Sequence, residues 1–149
     1  MTNTPERIHA DHSAISRLGH WTAATAFEVR SRKSRAVVDL RSPQISGDIQ
    51  LDLDLTRSAL ILLLPDDASI VQWDLRFDGR GRVRDDQRPS VGNRRVHLRG
   101  AAADSQIRVR RGGAAQLTAM LSRDYLADLR NAHRTGTRPT VDDPARTRA

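Results

Sequence analysis

Asp48-Ile49-Gln50-Leu51-Asp52-Leu53-Asp54-Leu55, followed three residues later by Ala59-Leu60-Ile61-Leu62-Leu63-Leu64, decides the fold. The first segment alternates strictly. Ile49, Leu51, Leu53 and Leu55 face one way, and Asp48, Gln50, Asp52 and Asp54 the other. Successive side chains on a strand point to opposite faces, so this is a strand with one dry face and one wet face. The second segment is apolar on both faces and is closed by Pro65 after six residues. That length suits a central strand better than a buried helix.

Outward from this pair the period stays at two. Residues 26–30 alternate, and 36–41 (AVVDLR) follow a basic turn at 31–35 and end at Ser42-Pro43. Beyond the turn at Pro65-Asp66-Asp67, residues 70–77 (IVQWDLRF) place Val71, Trp73, Leu75 and Phe77 on one face. Asp78-Gly79 reads as a tight hairpin turn. Residues 81–86 form a weak edge strand anchored by Val83, and 95–99 and 106–110 are short alternating strands. The reading is therefore a mainly β domain of about eight strands. It is either a Gly-punctuated sandwich or a short β-helix-like stack, because uneven glycine spacing argues against a long regular solenoid.

The character changes after Gly112-Gly113. Residues 114–134 contain no Gly or Pro, and Leu117, Leu121, Tyr125 and Leu129 recur every four residues, with Met120 and Leu126 beside them. That pattern predicts an amphipathic helix whose apolar arc is wider than one sheet face covers. The helix is expected to take part in self-association. Residues 1–20 have scattered Ile8, Ile15 and Leu18 and are expected as a mobile segment, with one helical turn at 13–18. Residues 21–134 form the domain, and 135–149, with two prolines and no apolar cluster, a disordered tail.

Composition narrows function. The chain has no Cys, which excludes disulfides, thiolate zinc sites and Cys nucleophiles. No apolar run approaches the roughly 20 residues of a membrane-spanning helix. The start of the chain lacks the apolar core of a signal peptide, and a cytoplasmic protein is expected. Lys33 is the single lysine among 25 basic residues, a bias that GC-rich bacterial codons produce and that also suits binding of phosphate or carboxylate. Residues 39–75 carry 2 basic and 7 acidic side chains, and residues 76–111 carry 11 and 4. The two segments therefore complement each other electrostatically.

Candidate chemistry is sparse. His9, Asp11, His12 and His20 could ligate a metal only if held rigidly. Asp48, Asp52 and Asp54 line one strand face, where even neighbours two residues apart stand about 6.5–7 Å from each other, too far for one small cation. No nucleophile elbow or phosphate-binding loop is present. The expected protein is non-enzymatic and uses no cofactor. The candidate basic surface is Arg80, Arg82 and Arg84 on one strand face, extended by Arg95, Arg99, Arg108 and Arg110. Its expected partner is an acidic protein surface or another copy of this chain. The alternative is a nucleic-acid backbone, although aromatic residues for base stacking are few.

Four segments carry a resemblance: Gly47-Asp48-Ile49-Gln50-Leu51-Asp52-Leu53, Leu63-Leu64-Pro65-Asp66-Asp67-Ala68-Ser69-Ile70, Gly79-Arg80-Gly81-Arg82-Val83 and Ser105-Gln106-Ile107-Arg108-Val109-Arg110. Over about residues 25–112 the chain resembles the C-terminal domain of LiaF-type cell-wall-stress response proteins and related toastrack domains. The resemblance implies a stacked β architecture and a sensing or scaffolding role in envelope stress. That family usually follows transmembrane helices, which this sequence lacks, and the helix at 114–134 is additional.

Overall fold

The computed structural model describes residues 5–85, 94–120, 130, 134 and 141. Ten strands form two five-stranded sheets in which every pairing is parallel. The chain climbs in two-strand rungs, each with one strand in the first sheet, a sharp corner, and one in the second. The rungs are β1 (Glu6–Asp11) with β2 (Ala14–Arg17), β3 (Ala26–Arg32) with β4 (Arg35–Asp39), and β5 (Ile49–Thr56) with β6 (Ala59–Leu63). Then come β7 (Ala68–Asp78) with β8 (Arg82–Asp85), and β9 (Arg94–Ala103) with β10 (Gln106–Arg110). The architecture is a solenoid-like parallel stack.

The alternating pattern explains the core. Phe27, Leu51 and Leu98 line up across β3, β5 and β9, and Val38, Leu62 and Val109 across β4, β6 and β10; all six are buried. The two inner faces meet in one continuous apolar cluster.

Spatial order departs from chain order. The sheets run β1-β3-β5-β9-β7 and β2-β4-β6-β10-β8. After β6 the chain passes over one rung position, lays down β7 and β8 at the end of the stack, and returns with β9 and β10 to fill the gap.

All eight expected strands are present. Asp78-Gly79 is no hairpin, however: it is the corner joining β7 in one sheet to β8 in the other. The stretch expected as a mobile segment holds β1 and β2, and residues 14–17, expected in a helical turn, are strand. Ile8 and Ala10 of β1 are buried. The expected strand at 59–64 is apolar on both faces because both are covered. Leu60 and Leu62 point into the stack, while Ile61 and Leu63 point out and pack with Leu18, Ala115 and Ala119. Ala115 and Ala119 belong to α1 (Gly112–Met120), the described part of the expected helix. Met120 is 39% exposed. Leu117 lies within α1, and Leu121, Tyr125, Leu126 and Leu129 fall outside the described residues, as does most of 135–149.

Candidate functional site: a cationic corner and sheet face

The corners share one construction. His12, Lys33, Arg57 and Asp104 each hold a positive φ, between 47° and 50°, and each is followed by serine. The left-handed residue turns the chain, and its amide still donates across to the adjacent rung: His12 N to Arg32 O, Lys33 N to Thr56 O, Arg57 N to Ala103 O and Asp104 N to Asp78 O. The serines then form a ladder. The amides of Ser13, Ser34 and Ser58 donate to the hydroxyls of Ser34, Ser58 and Ser105 at 3.0, 3.3 and 3.0 Å. Each accepting hydroxyl donates in turn to the carbonyl two residues earlier, Arg32, Thr56 or Ala103. At the first three corners the amides of both the left-handed residue and the serine after it keep acceptors where the strands stop, which is what burial of a turn requires. The ladder closes at the last rung, where Asp104 Oδ1 accepts from Arg80 N at 3.0 Å.

This geometry stacks side chains. A left-handed residue costs roughly 1–2 kcal/mol unless it is glycine, yet three successive corners carry His12, Lys33 and Arg57. Rungs stand about 4.8 Å apart, so these side chains stack in a column with Asp104 at its far end, in which Lys33 and Arg57 are the cations. Together with Arg35 and the serines they line an open groove of about 750 Å³.

The column continues onto the second sheet. In its outward rows Ala14, Arg35, Ala59, Gln106 and Arg82 are register neighbours, as are Ser16, Val37, Ile61, Arg108 and Arg84. Arg84 and Arg108 therefore stand side by side on adjacent strands, with Arg82 and Arg110 two residues away along them. Like charges directly opposite are destabilising unless something compensates. Among the described residues no carboxylate pairs with any of these four guanidiniums, and Arg110 Nε is buried with no hydrogen-bond partner.

The expected single Arg face is thus divided. Arg82, Arg84, Arg108 and Arg110 share the outside of the second sheet. Arg95 and Arg99 lie on β9 in the other sheet, where Arg99 Nε stands 3.6 Å from Asp52 and the Arg95 amide donates to Asp48 Oδ1 at 3.0 Å. Arg80 sits in the corner. The corner column went unread in the sequence, although its signal is there. A charged or imidazole residue before serine recurs at His12-Ser13, Lys33-Ser34, Arg57-Ser58 and Asp104-Ser105.

Two other charged clusters are structural. Asp39 is fully buried and accepts from Gly19 N, Arg41 N and the Arg41 guanidinium, at 2.9–3.1 Å. Arg111, also buried, donates to the Ala68 carbonyl and pairs with Asp85, which ties the end of β10 to the first residue of β7. The candidate metal residues do not converge. His9 and His12 lie along the first rung beside Glu28 and Asp11, whereas the His20 ring is hydrogen-bonded to Ser42 Oγ. Asp48 and Asp52 are engaged by β9, and Asp54 is exposed. Among the described residues no group of three or more His, Asp or Glu could hold a metal ion. No helix among them is long and apolar enough to cross a membrane. No protein-family profile, curated protein or solved structure matches the chain.

Proposed function

We propose that the chain is a non-enzymatic interaction domain that docks an acidic protein surface on the outer face of β8 and β10 and the adjoining corner. The observation that carries this is the register pair Arg84–Arg108, flanked by Arg82 and Arg110, with no carboxylate among the described residues to neutralise them. Guanidiniums fork onto carboxylates with two parallel hydrogen bonds, and a rigid parallel sheet fixes their spacing before the partner arrives. Following the likeness to LiaF-type domains, we place this docking in a bacterial envelope-stress response.

A nucleic-acid backbone is the second reading, favoured by the same row of Arg and by Lys33 and Arg57 in the corner column. The acidic protein stands first because no aromatic side chain among the described residues shares the face, so it offers no base-stacking platform.

The test is fluorescence anisotropy with labelled poly-glutamate and with a random-sequence DNA duplex, from about 50 to 200 mM salt. Poly-glutamate should bind, and Arg84→Gln with Arg108→Gln should weaken it about tenfold or more. Tighter binding of DNA, falling steeply with salt, replaces the acidic-protein reading with the second one. Failure of both probes to bind at low salt refutes the cationic face as a docking surface.

A further inference from the structure

The last strand of the first sheet, β7, has β9 on one side and no strand on the other among the described residues. It is eleven residues long. An exposed strand edge of this kind is a template for pairing with another chain, and sheets ordinarily blunt it with charges or bulges. Here a bulge between Val71 and Asp74 interrupts the pairing with β9, and beyond it Asp74–Asp78 runs in regular register. Trp73 stands at the bulge and is 91% exposed, the most exposed large apolar side chain described. Leu75 and Phe77 face the core but are only partly buried, because no rung covers them.

The sequence of this edge is self-complementary. Trp73-Asp74-Leu75-Arg76-Phe77 reads aromatic, acid, Leu, base, aromatic in one direction and aromatic, base, Leu, acid, aromatic in the other. Antiparallel pairing with a second copy about Leu75 sets Asp74 against the other copy's Arg76, and Arg76 against its Asp74. It sets Leu75 against itself, while Trp73, at the bulge, lies outside this register and beside the seam. A two-fold interface requires this relation, in which a patch is complementary to itself.

We propose that β7 is a dimerisation edge, through which two copies join their first sheets antiparallel about Leu75, with Trp73 as the apolar anchor. The surface is distinct from the cationic face on the second sheet and does not depend on it. The two opposite-charge pairs supply the specificity. Exposed Trp residues that become enclosed in this way commonly dominate an interface.

Charge reversal tests the geometry. The full chain should sediment as a dimer at about 100 μM, a concentration that reveals even weak association. Asp74→Arg places two Arg–Arg contacts in each dimer, and Arg76→Asp places two Asp–Asp contacts. Each should weaken dimerisation about 10- to 100-fold. The double variant Asp74→Arg/Arg76→Asp recreates both opposite-charge pairs with the partners exchanged, and should restore the dimer. Both side chains are exposed, and the Arg76–Asp78 ion pair is a surface one, so the melting curve of Arg76→Asp, whose register neighbour is Ala101, should stay near that of the parent. Asp74→Arg also meets Arg99 on β9 and should melt slightly lower. These curves separate misfolding from lost association. A monomer at this concentration overturns the proposal. So does a dimer indifferent to the single reversals, or one that the double variant fails to restore.

Discussion

Replacing Ser58 by alanine isolates the energy of the serine ladder. The hydroxyl is buried at the third corner, accepts from the Ser34 amide at 3.3 Å and donates to the Thr56 carbonyl at 2.8 Å. Alanine removes both bonds and leaves the Ser34 amide without an acceptor inside the stack. A typical hydrogen bond contributes about 1 kcal/mol net, and an unsatisfied buried donor costs about 1–3 kcal/mol. The expected loss is therefore about 2–3 kcal/mol, a sizeable share of the roughly 5–15 kcal/mol that holds a domain folded. Ser13→Ala is the control, because Ser13 sits on the terminal rung, is exposed, and its hydroxyl supports no rung below it. That variant should lie within about 0.5 kcal/mol of the parent. Urea unfolding gives the difference. Amide hydrogen exchange adds the direction. In Ser58→Ala the Ser34 amide should exchange at least about tenfold faster, a factor equivalent to about 1.4 kcal/mol. The amide of residue 58 should keep its protection, because its acceptor is the Ser105 hydroxyl. Equal loss at both amides, or equal destabilisation by Ser13→Ala and Ser58→Ala, would refute the ladder as described.

Other substitutions probe the corners and the core. Gly100 has φ +106°, and a Cβ there would lie 2.1 Å from the Leu53 carbonyl oxygen; Gly100→Ala should cost about 3–5 kcal/mol through strain and overpacking, read in a thermal melt. Lys33→Gly should raise stability by up to about 1 kcal/mol, because glycine adopts the left-handed corner without steric penalty. It should also weaken binding of an anionic probe, so that stability and affinity move in opposite directions. Leu62 is fully buried between Val38 and Val109 on the neighbouring strands. Leu62→Asp should abolish the cooperative melt, since an unpaired buried carboxylate costs several kcal/mol or more; a melt near that of the parent would show that Leu62 is not core.

The alternation at 48–55 made β5 legible, because one face is dry and the other wet. The all-apolar segment at 59–64 was legible for the converse reason, with α1 closing its outer side. β1 escaped because Glu6-Arg7-Ile8-His9-Ala10-Asp11 offers only one large apolar residue, and a terminal rung has fewer neighbours to satisfy. Strand direction was not readable, since a period of two is common to parallel and antiparallel pairing. The basic face was read in part. Side-chain parity along a strand is visible in sequence, but which sheet the strand joins is not. Arg95 and Arg99 therefore separated from Arg108 and Arg110, although the two strands follow one another in the chain. The corner column stayed hidden because left-handed turns are usually sought at glycine or asparagine, and here His, Lys and Arg fill them.

The exchanged order of the last two rungs governs how this chain can fold and evolve. In an ordinary solenoid each repeat stacks on the one before it, so the array can grow or fray one repeat at a time. Here, among the described residues, the final rung in space is not the final rung in the chain. When β7 and β8 emerge, the strands they will rest on do not yet exist, and Leu64-Pro65-Asp66-Asp67 must span an empty position. β9 and β10 then enter between two sets of strands already laid down, and Arg111 pins them to Ala68 and Asp85. Loss of the C-terminal rung would therefore strip both partners from β7 and β8 as well, and the upper half of the stack should form and melt as one cooperative unit. A rung laid down directly after β10 would have to pass over β7 and β8 to extend the stack, because β9 and β10 lie in its interior.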